Sequence, residues 1–316
     1  MLSADKVSEI FCIADDFCQK FDHQIENLSL PCDGKKHRKR KGQMSDSEIM
    51  TILICFHFNN YRNFKHYYLC YVKGYLKEYF PNAVSYNRFV ELESRVAVQM
   101  ALFLELFCFG ECTGISFIDS TCIPVCHNKR IKRNKVFKGY AEIGKSTMGW
   151  FYGFKLHLIC NERGELINFM LTKANVDDRN EAVFNRLTDN VLGKIYADKG
   201  YISETLFTRL YSNGIHLVTG LRSNMKNKLM AVYDKIMLRK RSVIETINDE
   251  LKNVAQAVHS RHRSVFNFAM NMLAALAAYC FFDKKPAINC DFCIEESRGS
   301  WHCSTNGNHT YHYLSS

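Results

Sequence analysis

Apolar and polar positions along this chain change period several times, and each change marks an element. Residues 3–28 place Val7, Ile10, Phe11, Ala14, Phe17 and Phe21 at helical spacing, which predicts an amphipathic helix. Ser45-Asp-Ser-Glu48 reads as a capping box opening a helix over 46–59. An aromatic segment with Tyr61, Phe64, Tyr67, Tyr68 and Tyr71 follows, and beyond Pro81 a further helix begins near Ser85. After Gly114 the pattern becomes that of strands. Residues 115–126 form a near-continuous run rich in Ile, Phe and Val, as in a buried strand. Residues 153–159 and 165–171 flank Asn161-Glu-Arg-Gly164, a hairpin signal, with His157 as a strand histidine. A helix over 179–190, a short strand ending at Asp198 and a last strand over 215–221 complete a five-strand set. Residues 241–258 return to helical spacing with Ile244, Ile247, Leu251, Val254 and Val258.

Two runs mimic membrane helices. Val96–Gly110 is too short and carries Glu105, and Ser264–Phe282 carries Asn267 and Asn271, so both are expected to be core helices. The first twenty residues hold Asp5, Glu9, Asp15 and Asp16, which spoils a secretory apolar run. Fourteen cysteines without such a leader suggest free thiols in a reducing compartment. Hydrophobic residues at 47% exclude global disorder. A formal charge of +10 favours a polyanionic partner, nucleic acid above all.

That charge is concentrated. Lys35, Lys36, Arg38, Lys39, Arg40 and Lys41 form one dense run, read as a phosphate-binding loop. Lys129, Arg130, Lys132 and Arg133 form a second, and Arg222, Lys226, Lys228, Lys235, Arg239 and Lys240 stud the segment before residue 241. The unit 45–95 is either a helix-turn-helix-like DNA-binding module, with Ser85-Tyr-Asn-Arg-Phe opening its recognition helix, or a plain bundle with an aromatic core.

Three acids stand out against this background. Asp119 sits inside the apolar run 115–126, where a carboxylate must be paired, protonated or bound to a metal. Asp198 ends a short apolar strand just before Lys199-Gly200. Glu245 lies on a helix stripe with Arg241, Asn248 and Lys252. Asp177-Asp178 are the rival acids, read as the N-cap of the following helix. The tail 284–316 has Cys290, Cys293, His302, Cys303, His309 and His312 but no hydrophobic pattern; it reads as a flexible end rather than a zinc site.

Asp119 in a strand, Asp198 in Ala-Asp-Lys-Gly-Tyr, and Arg241 followed by Glu245 and Lys252 resemble the DDE transposases of bacterial insertion sequences, closest to the IS982 family and near the IS4-like groups. The resemblance covers roughly residues 40–285. Leu238 stands where the longer IS4 signature has Tyr, which sets the chain apart from IS4 proper. The resemblance implies an α/β, RNase H-like (retroviral-integrase-type) catalytic domain over 111–283 with a mixed five-stranded sheet, preceded by an all-α DNA-binding region over 1–110. It implies that Asp119, Asp198 and Glu245 are catalytic metal ligands for Mg²⁺ or Mn²⁺, as three hard carboxylates would suit. Arg241, Lys252 and Lys199 would grip DNA phosphates beside them. The implied reaction is cleavage at the element's terminal inverted repeats followed by strand transfer into target DNA. The implied assembly is a homodimer on double-stranded DNA, in the bacterial cytoplasm at the nucleoid and not in a membrane. The alternatives are an inactive sequence-specific DNA-binding protein and a nuclease of the same fold.

Overall fold

The computed structural model describes residues 2–28, 42–59, 61–147, 149–223, 225, 229–258 and 262–288. The basic run Lys35, Lys36, Arg38, Lys39, Arg40 and Lys41, along with Lys226, Lys228 and the Cys/His tail from residue 289, lies outside the described residues.

Helices come first. Helix α1 (Ala4–Leu28) buries Val7, Ile10, Ala14 and Phe17 along one stripe, as its spacing predicts. Helix α2 (Asp46–Phe56) opens on the Ser45 capping box, with Ser45 Oγ accepting from the Glu48 N–H and Glu48 Oε2 from the Ser45 N–H. It ends three residues short of the expected 59. Asn63 caps α3 (Phe64–His66), which continues as π-helical turns through Tyr75. Ser85 caps α4 (Tyr86–Leu92), and a 3₁₀ turn over Glu93–Val96 leads into α5 (Ala97–Phe103). Tyr67 and Tyr68 are wholly buried, so these aromatics serve as core.

The sheet contains six strands rather than five. Strand β1 (Ile115–Cys126) is central. It pairs antiparallel with β3 (Gly149–Asn161) and parallel with β5 (Gly193–Ala197), which pairs parallel with β6 (Ile215–Thr219). The far edge of β3 is shared in turn by β2 (Glu142–Ser146) and β4 (Leu166–Lys173), both antiparallel. Strand β2 is the unexpected one. With Ile143 its only large apolar residue, it has no alternation to read, and it forms because β3 extends four residues before Gly153 and offers an open edge. Pro124 breaks the β1–β3 register, and Gly153 faces it with no room for a side chain against the Ile123 carbonyl.

Helices cover both faces. Phe117 joins the larger core with α1, α2, α9 (Ser242–Asp249) and α10 (Val265–Cys280). Ile118, pointing the other way, joins a second core with α6 (Glu181–Leu187) and α7 (Glu204–Ser212). The expected helix 241–258 starts in place but ends early. Helix α8 (Val232–Lys240) stops before Arg241, α9 follows, and a π-helical stretch over Glu250–Val254 ends it. Among the described residues no helix is long and apolar enough to cross a membrane, and the 264–282 run is the buried α10.

Candidate active site

The register of β1 and β5 sets up the site. Ile115, Ser116 and Phe117 lie beside Lys194, Ile195 and Tyr196. Two places further along both strands, Asp119 and Asp198 come level at the C-terminal end of β5, about one strand spacing (~4.8 Å) apart. Asp198 can sit there because the chain turns at once through Lys199–Tyr201. Gly193 starts β5 with φ of +82°, and a side chain there would strike the Gly114 carbonyl.

Asp119 shares the Phe117 face, the face on which α9 packs. The third acid comes from that helix. Arg241 lies between the two elements, with Nη1 3.9 Å from Asp119 Oδ1 and Nη2 2.5 Å from Glu245 Oε1. Asn248 Nδ2 donates to Asp119 Oδ2 at 3.0 Å. Asp119 and Arg241 are largely buried, with side chains 23% and 17% exposed, whereas Asp198 and Glu245 are exposed. Burial pushes the Asp119 carboxyl up to about 6; Arg241 and the Ser120 N–H pull it down, and Glu245 and Asp198 raise it further. Glu245 and Asp198 are thus close enough to be felt at Asp119. Cys122, further along β1, feels Lys252, so that lysine also stands over this strand. It lies in the π-helical stretch that continues from α9.

Three carboxylates with no Cys or His between them are a hard oxygen donor set, suited to Mg²⁺ or Mn²⁺. In this geometry Arg241 supplies the positive charge between Asp119 and Glu245, and among the described residues no three acidic, His or Cys side chains close around a single point. Donor chemistry and the Asp119–Asp198 pairing fit a divalent ion. Closing Glu245 onto the same ion requires it to leave Arg241.

The rival acids are placed differently from the sequence reading. Helix α6 is capped by Asn180, whose Oδ1 accepts from the Ala182 and Val183 N–H groups, and not by Asp177-Asp178. The helix begins only at Glu181, so both aspartates are free to turn elsewhere. Asp177 chelates Arg179, which holds its carboxyl far below the usual range. Asp178 accepts from Ser120 Oγ at 3.0 Å and Lys155 Nζ at 3.1 Å, on the opposite face of β1 from Asp119. His157 donates to or accepts from Thr172 Oγ1 at 2.9 Å and is fully buried, a structural strand histidine. Asn248 is the near neighbour that sequence reading passed over; it lay on the right stripe, but an Asn there carries no signal of its own.

Residues 109–265 match the family model described as a transposase DDE domain. That match supports a DDE transposase. It spans all three acids and just under half of the chain. No curated protein matches the chain. Among solved structures, a piggyBac transposase synaptic complex with hairpin DNA is similar at a TM-score of 0.44 and 10% identity, covering 88% of this chain and 72% of that one. The Mos1 transposase paired-end complex with the left transposon end gives 0.19 and 11%, covering 64% and 66%. The Mos1 strand transfer complex gives 0.21 and 9%, covering 83% of each. Likeness at this level carries no functional weight.

Two further groups of basic residues lie in the matched segment. Lys129, Arg130, Lys132 and Arg133 are exposed on a 3₁₀ turn (Asn128–Arg133) that follows directly from β1. Lys199 and Arg222 lie close together beyond β5 and β6, with Arg222 Nη2 donating to the Lys199 carbonyl.

Proposed function

We propose that the chain is an insertion-sequence transposase of the IS982 group. It would cut DNA at the terminal inverted repeats of its element and join the freed 3′ ends to target DNA. The observation that carries this reading is the level placement of Asp119 and Asp198 on adjacent parallel strands, with Glu245 brought towards them by α9. The strand order, with an antiparallel β3 beside β1 and parallel β5 and β6 on its other side, supports an RNase H-like sheet.

Bound by Asp119, Asp198 and Glu245, Mg²⁺ or Mn²⁺ would supply the charge that activates water or a 3′-OH and offsets the charge gathering on the phosphate. The protein's own groups do the rest. Asn248 fixes one oxygen of Asp119, so the other faces Arg241 and the open side of the site. Arg241, once exchanged from Glu245, can take a DNA phosphate as a bidentate partner. Lys199, in the turn just after Asp198, and Lys252, whose charge is felt on β1 at Cys122, would hold the DNA backbone as point charges. A homodimer follows from the need to hold two element ends together.

Strand transfer is the test. A labelled duplex carrying the element's ends, a plasmid target and Mg²⁺ are incubated with wild type, Asp119→Asn, Asp198→Asn and Glu245→Gln. Joined product from wild type and none from the three variants is the expected result. Cut ends without joining would make the chain a nuclease. Binding of element ends with no metal-dependent cutting would make it a DNA-binding protein. Product from Glu245→Gln would remove Glu245 from the site.

A further inference from the structure

A cavity of about 1020 Å³ opens between α2, the 62–65 segment, α4 and the start of α10, on residues that the carboxylate site does not use. Glu93 lies in its wall and is 5% exposed. Among the described residues no hydrogen bond or ion pair holds its carboxyl, and burial alone pushes it up to about 7. A desolvated, unpartnered carboxyl facing an open cavity is costly, and the cost is recovered by a ligand that brings N–H donors.

The remaining lining limits what that ligand is. Arg62, Lys65 and Arg263 are exposed and line the opening, so the rim is cationic and suits a phosphate. Phe64 and Tyr86, both packed against the core, line the wall with ring centroids 6.4 Å apart, and Lys65 Nζ stands over the Tyr86 ring, 5.7 Å from its centroid. Rings of this kind are stacking platforms for bases. Asn87 and Asn267 add amide donors and acceptors along the wall. The volume exceeds what one nucleotide needs, at the upper end of small-ligand sites. Of the four DNA bases only guanine carries two adjacent N–H donors, N1–H and the N2 amino group, that a single carboxylate accepts together.

We propose that this cavity binds a guanine nucleotide, with Glu93 accepting from N1–H and N2–H, Tyr86 stacking on the base, and Arg62, Lys65 and Arg263 holding the phosphate. The nucleotide is either an unpaired guanosine within a DNA strand or a free guanine nucleotide; the recognition chemistry is the same. The site goes beyond the transposase reading and does not depend on it.

The full-length chain in EDTA at pH 8 is titrated with dGMP, dAMP, dCMP and dTMP, and with single-stranded oligothymidylate with and without one central dG. Expected is at least about tenfold tighter binding of a guanine ligand over its counterparts, the scale of a good bidentate base contact. Binding of the dG oligomer alone would identify a strand guanosine, and equal binding of dGMP a free nucleotide. Glu93→Gln is expected to abolish the guanine preference while its unfolding midpoint stays at or above wild type. Arg263→Gln is expected to weaken all ligands alike. Asp119→Asn is expected to bind as wild type does, which separates this pocket from the carboxylate site. Equal affinity for the four bases, no binding of any, or a guanine preference retained in Glu93→Gln would overturn the proposal.

Discussion

Glu93 also allows a quantitative test of the fold. Its folded-state carboxyl sits at about 7 against an ordinary 4.5. The groups around it are Tyr86 two turns earlier, Arg263 at the rim, and the imidazoles of His57 and His262, both lowered by burial to about 4 and neutral above that. The folded carboxyl therefore binds a proton that the unfolded chain has already released between pH 4.5 and 7. Folding stability contributed by this group is full below pH 4.5, falls as pH rises, and is lost above about 7. A rise of this size corresponds to about 3 kcal/mol at 1.36 kcal/mol per unit. Glu93→Gln keeps the shape and removes the charge, so at pH 8 it should be more stable than wild type by up to about 3 kcal/mol, and at pH 4.5 equal to it. Urea unfolding of both proteins at the two pH values, followed by circular dichroism, measures the difference. A variant that is less stable at pH 8, or a gain that does not shrink on acidification, would refute the reasoning.

Other substitutions test the active site and its support. Arg241→Met removes the cation that stands between Asp119 and Glu245, where a unit charge near 4 Å is worth several kcal/mol at a partly buried position; Mn²⁺ binding to the DNA-free chain, read by electron paramagnetic resonance, should tighten at least about tenfold, and unchanged affinity would show that the guanidinium does not compete. Gly193→Ala forces a side chain into φ of +82° and against the Gly114 carbonyl, so the urea midpoint should fall by an equivalent of about 2 kcal/mol or more, and a wild-type midpoint would contradict the packing of β5 on β1. Lys155→Met leaves Asp178 without its ammonium partner and the Val176 carbonyl without its donor; a loss of about 1–3 kcal/mol is expected by thermal melting, and no loss would mean that Asp178 is held by Ser120 alone.

Much of the fold was legible because its strands are either fully apolar or sharply punctuated. The run 115–126 became β1 without a residue's difference, and the Asn161–Gly164 turn gave the β3–β4 hairpin. Capping chemistry was equally direct at Ser45 and Ser85, since a short hydroxyl side chain has few better uses than the exposed N–H groups of a helix start. Where reading failed, the reason was tertiary. Strand β2 has no pattern of its own and exists by pairing. Asp177-Asp178 looked like a cap because they precede a helix, yet Asn180 sits nearer and Asp178 has Lys155 and Ser120, contributed by strands 23 and 58 residues away, to bind. The change to π-helical turns at Glu250–Val254 left no mark in the apolar spacing, which runs on undisturbed through Leu251 and Val254.

The candidate site shows the same division at finer scale. A lone acid in an apolar strand is conspicuous because burial makes it costly, and Asp119 bears that cost in its raised pKa. Asp198 is conspicuous for another reason: a short apolar strand that runs into an acid with a glycine just beyond puts the carboxylate at the strand's C-terminal end. The relation between them, however, is a property of register, fixed by the Ile115–Lys194 pairing that no local pattern encodes. Glu245 is the opposite case, since nothing in its own neighbourhood separates it from an ordinary helix glutamate paired with an arginine four residues before it. What distinguishes it is that the same arginine also reaches Asp119, 122 residues away in the chain. Arg241 thus ties together two acids that would otherwise repel, and the acids can be drawn onto a common ion only when that guanidinium is given another anion to hold.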